Sequence, residues 1–212
     1  MDSSGIINLT RKFVAPISSV SRINLESIRS MPEMVLDRMI KQGNKHILHV
    51  DMNHCGAAII KSNGIHTVYT DALSGCNSVA SIVKLKNGQT LMILSHYVPT
   101  NQQGQIEALA KQLKCYDIYI DKNSKPQLFF NIRGLQRPDG EVEVIPNQII
   151  VKVEDLFKSV FKNGVESSIT PYPTTGRKAF YSSANIFQFN PKNLSELKIT
   201  NVGEKEQFIT LK

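Results

Sequence analysis

What most constrains this chain is a series of five short β-branched runs crowded into residues 46–96, with turn dipeptides between them. The runs are Ile47 to Met52, Ala57 to Lys61, His66 to Thr70, Val79 to Leu85 and Leu91 to His96. The punctuation is Asn63-Gly64, Ser74-Gly75 and Asn87-Gly88. Short segments rich in Val, Ile and Thr, bounded by Gly and Asn, read as strands, and Asn-Gly between closely spaced runs reads as a hairpin turn. The centre of the protein is therefore expected to be mainly antiparallel, with hairpins at Asn63-Gly64 and Asn87-Gly88.

Helical spacing flanks this region. Ser30-Met31-Pro32-Glu33 has the Ser-x-x-Glu form of a capping box, and Met31, Val35, Met39 and Ile40 keep one face as far as Gly43. Ile106, Leu109, Ala110 and Leu113 place an amphipathic helix over Gln102 to Lys114. Tyr116 to Asp121 and Leu128 to Ile132 read as strands, and Arg137-Pro138-Asp139-Gly140 as a turn. Gln148 to Val153 reads as a strand feeding a helix whose face is Val153, Leu156, Phe157, Val160 and Phe161, stopped at Asn163-Gly164. Lys178 to Ser183 and Asn185 to Phe189 look like closing strands, followed by a short Phe208 to Leu211 segment, and residues 1–21 suggest a partly ordered lead-in. Hairpins and helices without βαβ alternation indicate an α+β fold: a mainly antiparallel sheet or β-sandwich core flanked by about three helices. At 212 residues the chain suits a single domain, residues 1–212.

Charge and cysteine usage bound the function classes. The net charge of +7 favours an anionic partner surface. The Lys and Arg residues are scattered, Trp is absent and no aromatic platform appears, so nucleic acid is not the expected partner. Cys55, Cys76 and Cys115 form no Cys-x-x-Cys pair and an odd count leaves one unpaired, which fits a reducing compartment. No segment approaches the roughly 18 apolar residues of a membrane span, and the start shows no cleavable signal peptide. A monomer is expected. His46, His49, Asp51, His54 and Cys55 crowd together, but on a strand only residues two apart share a face, so His49 and Asp51 face together while His46 points away. No zinc spacing emerges, and no metal is expected. Thr174-Thr175-Gly176-Arg177-Lys178 lacks the spacing of a phosphate loop and reads as a basic surface turn.

The chemistry-bearing feature is Thr70-Asp71-Ala72-Leu73-Ser74-Gly75-Cys76 with His96 at the end of the last run. A thiol needs ionising before it attacks an acyl carbon, and an imidazole within reach both takes its proton and carries it to the leaving group. In a hairpin centred on Asn87-Gly88, positions summing to about 175 face each other, which brings Cys76 within a few residues of His96. Backbone N–H groups around Ser74 and Gly75 are candidates for an oxyanion hole. Cys55, beside His54 on extended chain, and Cys115, at a helix end, do not displace Cys76; Cys115 reads as a buried small hydrophobe.

Leu73-Ser74-Gly75-Cys76 with a downstream His96 resembles the motif of the bacterial glutamine deamidase toxins, the family of the cytotoxic necrotizing factor catalytic domain and the Burkholderia lethal factor. The longer Thr70-to-Cys76 run is similar to the lethal factor, and His96-Tyr97-Val98-Pro99 to the chemoreceptor deamidase CheD of the same broad superfamily. The resemblance covers about residues 66–99, and the Cys76–His96 separation exceeds that of the toxins, so His66 stands as the alternative partner. The resemblance implies a cofactor-free hydrolase in which Cys76 attacks a glutamine side chain of a host protein, His96 moves the proton and Thr70 supports the histidine. It implies a thioester intermediate, transglutamination as a side activity, a virulence role, and secretion or delivery to the host cytosol. Rho-family GTPases are the first expected target and a translation-initiation helicase the second. A non-catalytic basic binding module and a thiol protease or acyltransferase are the competing readings.

Overall fold

The computed structural model describes residues 46–73, 75–138, 142–144, 147–173, 183–201 and 207–211. The helix expected over residues 31–43, the lead-in, the basic turn at 174–178 and the strand expected over Lys178 to Ser183, save its last residue, lie outside these residues, as do Ser74 and the Asp139-Gly140 half of the expected turn.

Among the described residues, two sheets and two α-helices stack in three layers. In chain order the elements are β1 (Ile47–His49), β2 (His54–Ile59), β3 (Thr67–Leu73), β4 (Asn77–Lys84), β5 (Thr90–Tyr97), α1 (Gln102–Tyr116), β6 (Gln127–Gln136), β7 (Val142–Val144), α2 (Gln148–Val160), β8 (Glu166–Pro173), β9 (Ser183–Asn190), β10 (Asn193–Asn201) and β11 (Gln207–Thr210). One sheet runs β1-β3-β9-β10-β11. The second runs β2-β5-β4-β6-β7, with β8 on the far side of β6. Most pairings are antiparallel; β1 with β3 and β6 with β8 are parallel. The α+β class with a sheet core is as the sequence indicates.

Strand alternation sorts the side chains into two cores. On the second sheet Val79, Val83, Leu91 and Ile93 face α1 and α2, where they meet Leu109, Leu113, Val153 and Phe157. Their neighbours Ala80, Ile82, Met92 and Leu94 face the first sheet and meet Leu48, Val68, Phe187 and Ile199. Each fully buried large side chain contributes about 1.5–3 kcal/mol of apolar transfer. The second sheet is thus apolar on both faces, which is why β4 and β5 read as nearly continuous hydrophobic runs.

The β4–β5 hairpin forms as expected, with Gly88 at φ 80° and a three-residue loop closed by Leu85 N–H to Gln89 C=O at 2.9 Å. Opposed positions accordingly sum to 174, as in Ser78 opposite His96. The Asn63-Gly64 hairpin does not form. β2 pairs with β5, β3 pairs with β1 and β9, and the 61–65 turn carries the chain from one sheet to the other. Gly64 lacks the positive φ that a primed hairpin turn demands, so the dipeptide supplies a turn without dictating a pairing. Gln148 to Val153 is helix rather than strand: Asn147 caps α2 through its side chain, which accepts from Ile149 N–H at 3.1 Å, and Ile149, Val153 and Phe157 are buried against the sheet. Tertiary packing overrides the β-branched preference there. Tyr116 to Asp121 is a helix end and turn holding one bridge, Ile120 to Leu85, while β8 and β10 are strands that periodicity left unread.

Candidate functional site

Both sheets turn polar at the same end of their shared core. On β5 the inward positions run Met92, Leu94, His96; on β4, in reverse, Ile82, Ala80, Ser78, and then Cys76 just before the strand; on β3, Val68 and Thr70. The alternation that buries Met92 and Ile82 therefore turns His96 and Thr70 inward together, while Cys76, just before β4, packs with Leu73, Tyr172 and Val98. His96 is 1% exposed, Cys76 5% and Thr70 0%.

Thr70 Oγ1 lies 2.7 Å from His96 Nδ1 and donates to the Val50 carbonyl at 2.7 Å. A hydroxyl has one proton and a carbonyl can only accept, so the Thr70 proton is spent on Val50 and the His96 contact is Nδ1–H donating to Oγ1. That fixes the tautomer and leaves Nε2 as a bare lone pair, with no hydrogen-bond partner. Ser78 is directly opposite His96, and Cys76 lies two residues before Ser78, just outside the strand; its thiol donates to Met52 Sδ and makes no hydrogen bond to His96 Nε2. Burial pulls the His96 imidazole down to about 4, against partial opposition from Asp71 and Asp51, and burial pushes the Cys76 thiol up. The resting pair is therefore neutral thiol and neutral imidazole.

The turn before Cys76 is clamped. Gly75, at φ 102°, donates its N–H to the Tyr172 hydroxyl at 3.0 Å, and that hydroxyl donates to the Cys76 carbonyl. Tyr172 comes from β8, is buried, and packs with Leu73 and Cys76. Met52, half exposed in the β1–β2 turn, places its Sδ 3.8 Å from Cys76 Sγ and covers it from outside. Both residues escaped sequence reading; Tyr172 lies 96 residues from the Cys76 carbonyl it binds, and no local pattern records that contact.

The remaining sequence candidates lie elsewhere. His66 stacks on His46, 5.2 Å between centroids, just before β3 and four residues from Thr70. Cys55 faces the helices on the opposite side of the sheet, where burial pushes its thiol up to about 12, and Cys115 packs into the same helix-side core. His49 Nε2 is 3.1 Å from Asp71 and its Nδ1 3.5 Å from Asp51; these charges outweigh burial and raise its pKa. Among the described residues no group of three or more His, Cys, Asp or Glu is arranged to hold a metal.

No protein-family model and no curated protein matches the sequence. Among solved structures the chain is similar to the C-terminal domain of CNFy from Yersinia pseudotuberculosis, with a TM-score of 0.31 and 8% identity over 78% of this chain. The chain spans 62% of that domain's length. A likeness so distant bears on neither activity nor target.

Proposed function

We propose that the protein is a glutamine deamidase that acts on a protein side chain through Cys76, His96 and Thr70. The observation that carries the reading is the Thr70–His96 hydrogen bond at 2.7 Å, which leaves the His96 Nε2 lone pair unpartnered, with Cys76 two residues along the chain from Ser78, the residue opposite His96. The Leu73-to-Cys76 motif, which resembles that of the deamidase toxins, supplies the reaction class.

Because both groups rest neutral, His96 acts as a general base when substrate arrives. The substrate glutamine displaces Met52, Nε2 takes the Sγ proton, and sulfur bonds to the carboxamide carbon. The imidazolium returns that proton to nitrogen, the C–N bond breaks and ammonia leaves a thioester. His96 next deprotonates water, which attacks the thioester carbon; the C–S bond breaks, the thiol is restored and glutamate remains. Gly75 N–H is already given to Tyr172, so the oxyanion falls to the Cys76 N–H and its neighbours. No cofactor enters any step, and a primary amine in place of water gives transglutamination. The substrate is read as a host regulatory protein met in the host cytosol, Rho-family GTPases first and a translation-initiation helicase second.

Mass spectrometry of host-cell lysate treated with wild type and with Cys76→Ser tests this. Glutamines that gain about one dalton in wild type only, without chain cleavage, are the expected result. Equal conversion by both proteins, or cleavage, sinks the reading.

A further inference from the structure

The polar end of the sandwich is larger than the three residues used above. Across the second sheet, hydrogen-bonded register places His96, Ser78 and Asn131 side by side on β5, β4 and β6. Across the first sheet it places Thr70, Asn185 and Asn201 side by side on β3, β9 and β10. Alternation from the apolar positions Phe129, Phe187 and Ile199 turns Asn131, Asn185 and Asn201 inward, as it does Ser78. The two rows thus face one another, joined at one end by Thr70 and His96.

These side chains are at least nine-tenths buried, yet Ser78 Oγ, His96 Nε2 and the Oδ1 atoms of Asn131, Asn185 and Asn201 have no hydrogen-bond partner. An unmet buried polar group costs about 1–3 kcal/mol, and native proteins keep few of them. Five of the eleven such atoms among the described residues gather in this one layer, which is not how an apolar core ends. Three of the five are amide carbonyl oxygens, which accept and cannot donate, while Ser78 does both. The layer is therefore short of N–H donors.

We propose that Ser78 and Asn131, backed by Asn185 and Asn201, form a binding floor for a primary carboxamide. Such a group brings two N–H donors and one acceptor on a slender chain. Its N–H groups meet the asparagine oxygens while its carbonyl carbon is presented to Cys76. The inference deepens the deamidase reading and rests on it for the substrate. Such a floor selects a primary amide over an ester or a substituted amide, because the alternatives leave it unmet.

The test compares alkylation of Cys76 by 2-chloroacetamide and by chloroacetone, which differ only in NH2 against CH3. In both, the C–S bond forms and chloride leaves. The amide-over-ketone rate ratio, divided by the same ratio for glutathione, cancels thiol ionisation and general access. Wild type is expected to favour the amide by at least about tenfold. Asn131→Leu, which keeps the side-chain volume, and Ser78→Ala are each expected to bring the ratio towards one. A wild-type ratio of one, meaning that water alone meets these groups, overturns the proposal, as does a preference that survives both substitutions. If one variant fails to fold by circular dichroism, the other decides. Amide preference in a protein that converts no lysate glutamine keeps the floor and discards the deamidase; conversion without preference does the reverse.

Discussion

Thr70→Val is the most discriminating single change, because it preserves shape and β-branching while deleting one hydroxyl. Thr70 is fully buried, so no water replaces the lost oxygen. The Val50 carbonyl and the His96 Nδ1–H, each now 2.7 Å from Oγ1, are left unmet together. At about 1–3 kcal/mol each, the expected loss is about 2–6 kcal/mol, a fall in Tm of roughly 4–24 °C for a chain of this size. Thr70→Ser restores the hydroxyl and removes one methyl, costing about 1 kcal/mol, so it should fall between wild type and Thr70→Val. Urea denaturation at pH 7 measures both. Freed of its anchor, the imidazole also loses its tautomer, and Cys76-dependent turnover in the valine variant should drop by about a hundredfold, with most of it recovered in the serine variant. Thr70→Val as stable as wild type, or more stable than Thr70→Ser, would refute the hydrogen-bond assignment.

Burial of neutral His96 makes stability fall with acid: its pKa is near 4 when folded against the ordinary histidine value of 6.5, so the unfolded chain binds more protons between them. Its contribution is complete above about pH 6.5, declines as pH drops towards 4, and amounts to about 3 kcal/mol. Wild type should thus lose more urea resistance than His96→Gln between pH 7 and 4, and parallel losses would contradict the assignment. For the same reason the acid limb of turnover should lie nearer pH 4 than 6.5, because base catalysis needs unprotonated Nε2. Tyr172→Phe removes the hydroxyl that joins Gly75 N–H to the Cys76 carbonyl, so a destabilisation of about 1–3 kcal/mol and slower turnover are expected by calorimetry and ammonia release. Met52→Ala uncovers Cys76, so alkylation by 2-chloroacetamide should accelerate several-fold; an unchanged rate means Met52 does not control entry.

What could be read from the chain follows the range of the interactions that decide it. The β4–β5 hairpin and its register were legible to within one position, because a loop residue able to adopt φ 80° lies between two apolar runs and everything that matters is local. The same dipeptide at residues 63 and 64 misled, because pairing there is settled by which faces need covering, and β2 is apolar on both. The helical state of residues 148–153 was hidden for a related reason: β-branched side chains favour strand in isolation, and only the sheet-side core that receives Ile149 and Val153 reverses the choice. The polar floor lies between these cases. Ser78, His96, Asn131 and Asn185 occupy positions where the alternation of their strands calls for an apolar residue, and each break is visible in its own strand. That the breaks coincide at one end of two facing sheets depends on register across β5, β4 and β6 and across β3, β9 and β10, which no single strand records. A polar residue at an inward position is thus a local sign, and it becomes evidence of a site only when register stacks several of them beside a nucleophile.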